Sequence, residues 1–263
     1  MNFKALLRTL FVPFQVMNKN GMLLLSWSQL FFCLVLWTFS PFRYLPRPTQ
    51  IYAAAMDMIQ NDDLVPHLLT SFILNVEVIL VATVVSLFLA YFNTINFFKP
   101  SVKTFSNLRY LSMVGLQFFF VLIFTHHLKL SLLVFGVSVF YVTGMISVIE
   151  SIPTEMYDLA KTMRFNEWRT LWEVVIIGQR DKAFDVLRQN AAIGWMMLTM
   201  VEALDRSSGG IGVLLSDSNK HFDLPPVFAI QLIILTLGFC QNMVLGWMRS
   251  RTCRYADLTV VRA

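Results

Sequence analysis

This sequence is short of charge. Only 14% of its 263 residues are Asp, Glu, Lys or Arg, against 56% hydrophobic residues, a balance too apolar for a soluble domain. Its 11 Gly and 9 Pro are too few for a fibrous chain. Cysteine is limited to Cys33, Cys240 and Cys253. That odd number, without metal-ligand spacing and with two members in apolar runs, reads as buried thiols rather than a disulfide or a site. Histidine is nearly as rare, and the pair His126-His127 makes poor co-ligands with no second cluster in reach, so it reads as a wet loop. No P-loop ending in Gly-Lys-Ser/Thr and no hydrolytic triad is present, and no His/Glu/Asp set converges at one depth as an intramembrane enzyme requires. Enzymatic activity, bound cofactors and metals are therefore not expected of this chain. The net charge of +5 could suggest nucleic acid, but the basic residues flank apolar runs instead of clustering on one face, so membrane orientation accounts for them and no nucleic acid is expected.

What is abundant is hydrophobicity in long runs, with 24 Phe and a mean hydropathy of +0.62. A spanning helix needs about 20 apolar residues, and six runs read as spans: 22–40, 68–92, 110–125, 130–149, 191–204 and 227–248. The third is short and the fifth is the least apolar. This is the pattern of an all-α multi-pass membrane protein with a tail 1–21, a transmembrane domain 22–248 and a basic tail 249–263. The tail groups Leu6, Leu7, Leu10, Phe11 and Phe14 among Lys4, Arg8 and Lys19, as an interfacial helix does. No small-x-small cleavage site follows, so a removable signal peptide is not expected. Counting Lys and Arg in the connections places sixteen on the side of the two tails, the 93–109 loop and the segment after the fourth span, and five on the other. The positive-inside rule then puts both termini in the cytoplasm.

The segment after the fourth span, about residues 150–189, is a charged island. Between Glu150 and Arg188 it holds six Lys/Arg and seven Asp/Glu. Two short helical patterns lie inside it: Met156, Leu159, Ala160 and Met163, then Trp168, Leu171, Trp172 and Val175, each at i, i+3, i+4, i+7. Ser151 is placed to cap the first with Pro153 in its first turn, and Asn166 to cap the second. Arg164-Phe165-Asn166 forms the corner between them. One apolar stripe has to be buried, against the bundle itself or against a partner.

The run Ile152–Trp168 resembles the cytoplasmic loop of ABC-importer permeases, whose motif reads Glu-Ala-Ala, three residues, Gly, nine residues, Ile-x-Leu-Pro. Asp158, Leu159 and Ala160 stand at the Glu-Ala-Ala positions, and Val174 and Ile176 at the later apolar ones. Arg164 holds the Gly position, where Gly permits backbone conformations that Arg resists, and Ile177 holds the Pro position. Leu45-Pro46-Arg47-Pro48-Thr49 and Ser71 look like the nitrate/sulfonate/taurine branch, although Leu74 stands where that branch carries Arg. Gly194-Trp195, Glu202, Ser207–Gly212 and Asp223–Ala229 resemble the family's last loop and its lead into the final span. The resemblance implies a type I importer-like permease in a bacterial inner membrane. Its partners would be a separate ATPase that binds ATP and Mg, a second permease subunit forming a homodimer, an extracytoplasmic solute-binding protein docking on segments 41–66 and 205–225, and the lipid bilayer. It further implies that Met156, Ala160 and Met163 anchor a coupling helix in the ATPase, with Leu159 among the coupling residues. Asp158, Lys161, Arg164 and Arg169 would set polar contacts, Trp168 would brace the corner, and Arg164 would mark a co-adapted ATPase surface.

Glu77 lies about 15 Å into the second span, where an ionisable group is costly and a functional candidate by default. Gln117 and Gln231 are possible polar partners for it. Gln117, Thr143, Thr199 and Glu202 complete the pathway candidates. The rival reading is a secondary transporter or channel acting alone through Glu77 and Glu202. Against it stands the absence of a visible internal repeat with paired broken spans.

Overall fold

A computed structural model of the chain describes residues 19–39, 45–61, 64–124 and 127–253, and every regular element among them is helical. In order these are α1 (Lys19–Thr38), α2 (Pro48–Asn61), α3 (Leu64–Phe92), α4 (Lys99–Asn107) with a 3-10 turn Leu108–Tyr110, α5 (Met113–Ile123) and α6 (Leu128–Glu150). There follow α7 (Thr154–Thr162), α8 (Glu167–Thr170) continuing into a π-helical stretch Leu171–Ile177, α9 (Arg180–Leu204), α10 (Ile211–Lys220) and α11 (Leu224–Thr252). The expected interfacial helix in 1–21, residue His126 and most of the basic tail lie wholly or largely outside the described residues.

Two compact units are present, residues 1–53 and 54–263. In the first, α1 is apolar on every side, and Trp37 Nε1 donates to the carbonyl of Pro46 at 3.2 Å. Pro48 opens α2 at the first helical position, where its missing N–H is not needed.

In the second, α3, α6 and α9 pack around Val78, Ala82, Leu133, Val137, Trp195 and Leu198. Lipid tails are as apolar as these side chains, so helix association in a membrane relies on close packing and interhelical hydrogen bonds. Small residues supply the first and serine the second: Ser86 Oγ donates to the Ser138 carbonyl at 3.3 Å, both residues being buried. At one end a second cluster joins Ala90 of α3, Tyr141 and Ile149 of α6, Ile152, Val175 and Ala183.

Four described helices, α1, α3, α6 and α11, are long and apolar enough to cross a bilayer; a bent pair, Lys99–Tyr110 with Met113–Ile123, makes a fifth if it counts as one span. Six were expected, and the differences have physical causes. The third expected span, 110–125, is interrupted: its two helices meet at 118° across Leu111 and Ser112, both extended. α5 alone has 11 residues, about 16 Å, half of a hydrocarbon core. The fifth expected span, 191–204, is the second half of the 25-residue α9, about 38 Å long. Charged residues from Arg180 to Arg188 occupy its first half, which lowers its hydropathy without breaking the helix. Between α6 and α9 the insert covers Ser151 to Gln179, so the end of the charged island forms the first turns of α9, and α11 runs to Thr252.

Candidate functional site

Three features bring polar or exposed apolar side chains together: the insert 151–179, a buried clamp at the opposite end of the bundle, and a cleft between α9 and α11.

In the insert, Pro153 is extended and leads into α7 without a side-chain cap. Ser151, expected to cap it, instead closes α6, its Oγ donating to the Val148 carbonyl at 2.8 Å. Asn166 does cap α8: its Oδ1 accepts the Arg169 N–H at 2.8 Å. Between the helices Arg164 adopts φ +55°, and the Phe165 N–H reaches back to the Ala160 carbonyl at 3.0 Å. That six-to-one bond is a Schellman closure, normally built on Gly. The turn is thus made by Arg164 despite a left-handed penalty of about 1–2 kcal/mol, and the Arg169 guanidinium lies 4.3 Å from the Phe165 ring centre.

Both predicted stripes split between two faces. On α7, Tyr157 is half-buried and Ala160 is buried, while Met156, Leu159 and Met163 are exposed. Next to them Leu171 and Val175 turn inward, and Trp168 and Trp172 are 70% and 57% exposed. Ala160 thus packs within its own chain and is not on the free face. Tyr157, Leu171 and Val175 join the cluster that holds the ends of α3, α6 and α9, so the insert is fastened to three long helices. Burial pushes the Tyr157 hydroxyl above its ordinary range. Asp158 and Lys161 pair with each other at 3.2 Å while largely exposed, an interaction of little energetic weight. The π-helical stretch closes where the Gly178 N–H donates to the Glu173 carbonyl at 3.0 Å. A Cβ at Gly178 would lie 2.5 Å from the Val174 carbonyl oxygen.

At the opposite end Glu202 is fully buried. Ser71 Oγ donates to its Oε1 at 2.6 Å, and the Gly212 N–H to its Oε2 at 2.9 Å. The Ile211 N–H donates to Ser71 Oγ, and the Gly210 N–H to His67 Nδ1. Lys129, 7% exposed, donates to Ser208 Oγ and to the Gly209 carbonyl at 2.7 and 2.9 Å. Three helices thereby hold the glycine turn, and two of them, α3 and α9, supply acceptors to the first amides of α10, which would otherwise lack partners. The turn expected for Ser207–Gly212 is what forms, with Gly209 and Gly210 at φ +70° and +122°. Sequence reasoning did not find Lys129 or His67; the available signal was a lone cation opening an apolar run.

The pathway candidates do not converge. Glu77 is exposed on the side of α3 opposite its buried row Ser71, Asn75, Val78 and Ala82, so it does not meet Glu202. Thr143 shares a 2.7 Å hydrogen bond with Ser106 of α4, and Gln117 is half-buried on α5. Thr199 and Gln231 do come together, as walls of a cleft of about 770 Å³ between α9 and α11. Behind it Gln241 accepts from both Trp195 Nε1 and Asn75 Nδ2. No group of three His, Cys, Asp or Glu able to hold a metal occurs among the described residues.

Residues 65–253 match the family model described as binding-protein-dependent transport system inner membrane component. The chain belongs to that family. It is therefore an inner-membrane transport component, and its apolar helices are membrane spans. A chain in the crystal structure of an amino acid ABC transporter with histidines is similar in fold: the TM-score is 0.57 at 12% identity, covering 76% of this chain and 97% of that one. No curated protein matches the sequence. The match spans the α7–α8 insert entirely.

Proposed function

We propose that this chain is the permease subunit of an ATP-binding-cassette importer, with the insert 151–179 as the surface gripped by a separate ATPase subunit. The observation that carries the reading is the insert's division of labour. One face, with Tyr157, Leu171 and Val175, is fused to the ends of three long helices, while the other leaves Met156, Leu159, Met163, Trp168 and Trp172 exposed. Exposed aromatic and Met side chains in one patch are the composition of a protein interface. A lever so attached passes an external push into α3, α6 and α9 together. ATP and Mg belong to the ATPase, and this chain binds neither.

The charge distribution favours an insert and both tails on the cytoplasmic side, with α10 and the glycine turn facing a solute-binding protein outside. One insert per chain favours a two-fold pair of permeases. The membrane is the bacterial inner membrane; the nitrate/sulfonate/taurine branch stays a proposal on Pro46, Pro48 and Ser71.

The test is purification of the tagged permease with its ATPase, comparing wild type with Trp168→Ser and Met163→Ser. Each substitution is expected to reduce ATPase recovery and ATP-dependent uptake at least about tenfold, as loss of an interface anchor does, while the permease still elutes as a single species. Undiminished ATPase recovery from the double variant would refute the reading, as would labelling of the insert only from the outer face.

A further inference from the structure

We propose that the end of α3, the 93–98 turn and α4 form a surface that binds an anionic phospholipid, its phosphate held between Lys99 and Lys103 and its acyl chain lying along Phe88, Phe92 and Phe98. The inference goes beyond the permease reading and takes from it only that this end of the bundle faces the cytoplasm. Asn93 and Lys99 wall one cavity with Glu150 and Tyr157, so α4 starts at the end that carries the insert. Ser106 then meets Thr143 of α6 at 2.7 Å, about 10 Å along α6 from Glu150. α4 therefore lies within the first ~10 Å of the bundle, the zone between headgroups and acyl chains. Its 118° angle to α5 turns it away from the line of a straight spanning helix.

The faces of α4 differ. Val102 and Ser106 are buried, and the Phe105 ring lies 5.8 Å from that of Phe135 on α6. Lys99 and Lys103, one turn apart, are exposed, and like charges at that spacing repel. The chain has no Asp or Glu between Glu77 and Glu150. Glu150 and Glu167 share the cavity with Lys99, yet among the described residues none of Lys99, Lys103 and Arg109 is in an ion pair. Arg109 instead turns onto Tyr110, donating to its hydroxyl at 2.8 Å, as interfacial anchors do. Beside the lysines runs a track of rings. Phe88, Phe92, Phe98 and Phe97 follow one another edge to face at 4.4, 4.9 and 5.0 Å. Phe88 and Phe97 are 64% and 81% exposed. The track starts on the side of α3, within the bilayer, where a soluble subunit does not reach, and it ends at the residue before Lys99. A phosphate carrying acyl chains meets both halves of this surface at once, charge for the lysines and hydrocarbon for the rings. A free anion would meet only the lysines.

The experiment uses the intact permease–ATPase complex in phosphatidylcholine vesicles. Thr104→Cys, exposed on α4, carries a bimane fluorophore, with Cys33, Cys240 and Cys253 each replaced by Ala. Quenching is followed as phosphatidylcholine or phosphatidylglycerol with brominated acyl chains is introduced. Each cation near a membrane surface favours anionic lipid by about fivefold, so phosphatidylglycerol should associate roughly twentyfold more strongly than phosphatidylcholine. Lys99→Gln and Lys103→Gln should each lower that ratio about fivefold. The double Gln variant should bring it near unity, and the double Arg variant should keep it. A ratio near unity in the unsubstituted surface, or one unchanged by the double Gln variant, would overturn the inference. So would displacement of brominated phosphatidylglycerol by inorganic phosphate, which would mark a free-anion site. Loss of ATPase from the double Gln variant in phosphatidylcholine alone would do the same, by making this face a subunit contact. ATPase content measured in the same vesicles separates the two claims: ATPase without a lipid preference fails the lipid site alone, and a lipid preference without ATPase fails the permease reading alone.

Discussion

Gly210→Ala should be among the most damaging single-methyl additions in the chain. Gly210 sits at φ +122° and ψ 165°, a backbone region that is essentially reserved for Gly and costs about 1–3 kcal/mol otherwise. The new Cβ would stand 2.3 Å from both Cδ and Oε1 of Glu202, so the carboxylate has to move. It is fully buried and accepts from Ser71 and Gly212. Displacing it leaves at least one buried polar group without a partner, about 1–3 kcal/mol more. The sum is about 2–6 kcal/mol. At ~2–4 °C per kcal/mol for a chain of this size, the apparent midpoint should fall by roughly 10 °C. The assay is heating of detergent-solubilised protein at fixed times, with the surviving monodisperse fraction read by size-exclusion fluorescence, since membrane proteins commonly unfold irreversibly. Gly115→Ala is the control: its Cβ meets nothing within 4 Å, and Ala is favoured over Gly in a helix by about 1 kcal/mol. A Gly210→Ala midpoint within about 2 °C of wild type would refute the claim that Glu202 is locked against the glycine turn.

Two further outcomes follow from the same geometry. Arg164→Gly should raise the midpoint by a few degrees, because about 1–2 kcal/mol of left-handed strain is removed, whereas Arg164→Val should lower it; the reverse order would contradict the Schellman closure. Arg206 donates to Asp217 and holds its carboxyl below the ordinary 3.8. The folded value is depressed, so the stabilisation is complete above the unfolded value and is lost as pH falls through the lower folded one. A melting series from about pH 5 downward should show Asp217→Asn flattening that acid limb slightly, since the pair is exposed and screened. An unchanged limb would dismiss the pair.

Much of this was readable from residue order, and what was not had specific causes. The long apolar helices α3, α6 and α11 and the α8 cap and corner of the insert follow from local rules, which is why Asn166 and the Ser207–Gly212 turn appear where expected, whereas Ser151 was drawn to the end of α6. The kink at Leu111-Ser112 escaped because hydropathy averages over a bend. α9 was seen as half its length because its charged first half meets neighbouring polar groups, Arg188 with Asn242 and Asp185 with Arg249, and that is a matter of tertiary packing. The stripes of the insert were assigned to one face because periodicity gives the phase of a helix but not which of two apolar faces the bundle takes. The Glu202 clamp joins positions 131 residues apart in sequence, beyond any local signal.

The π-helical stretch Leu171–Ile177 has an implication for how the chain can change over time. Wide turns of this kind hold one more residue than an ordinary helix of equal rise. Losing one residue there would tighten the coil while leaving the rotation of Arg180 and everything after it largely untouched. Length variation by a single codon is thus absorbable between the exposed tryptophans and α9.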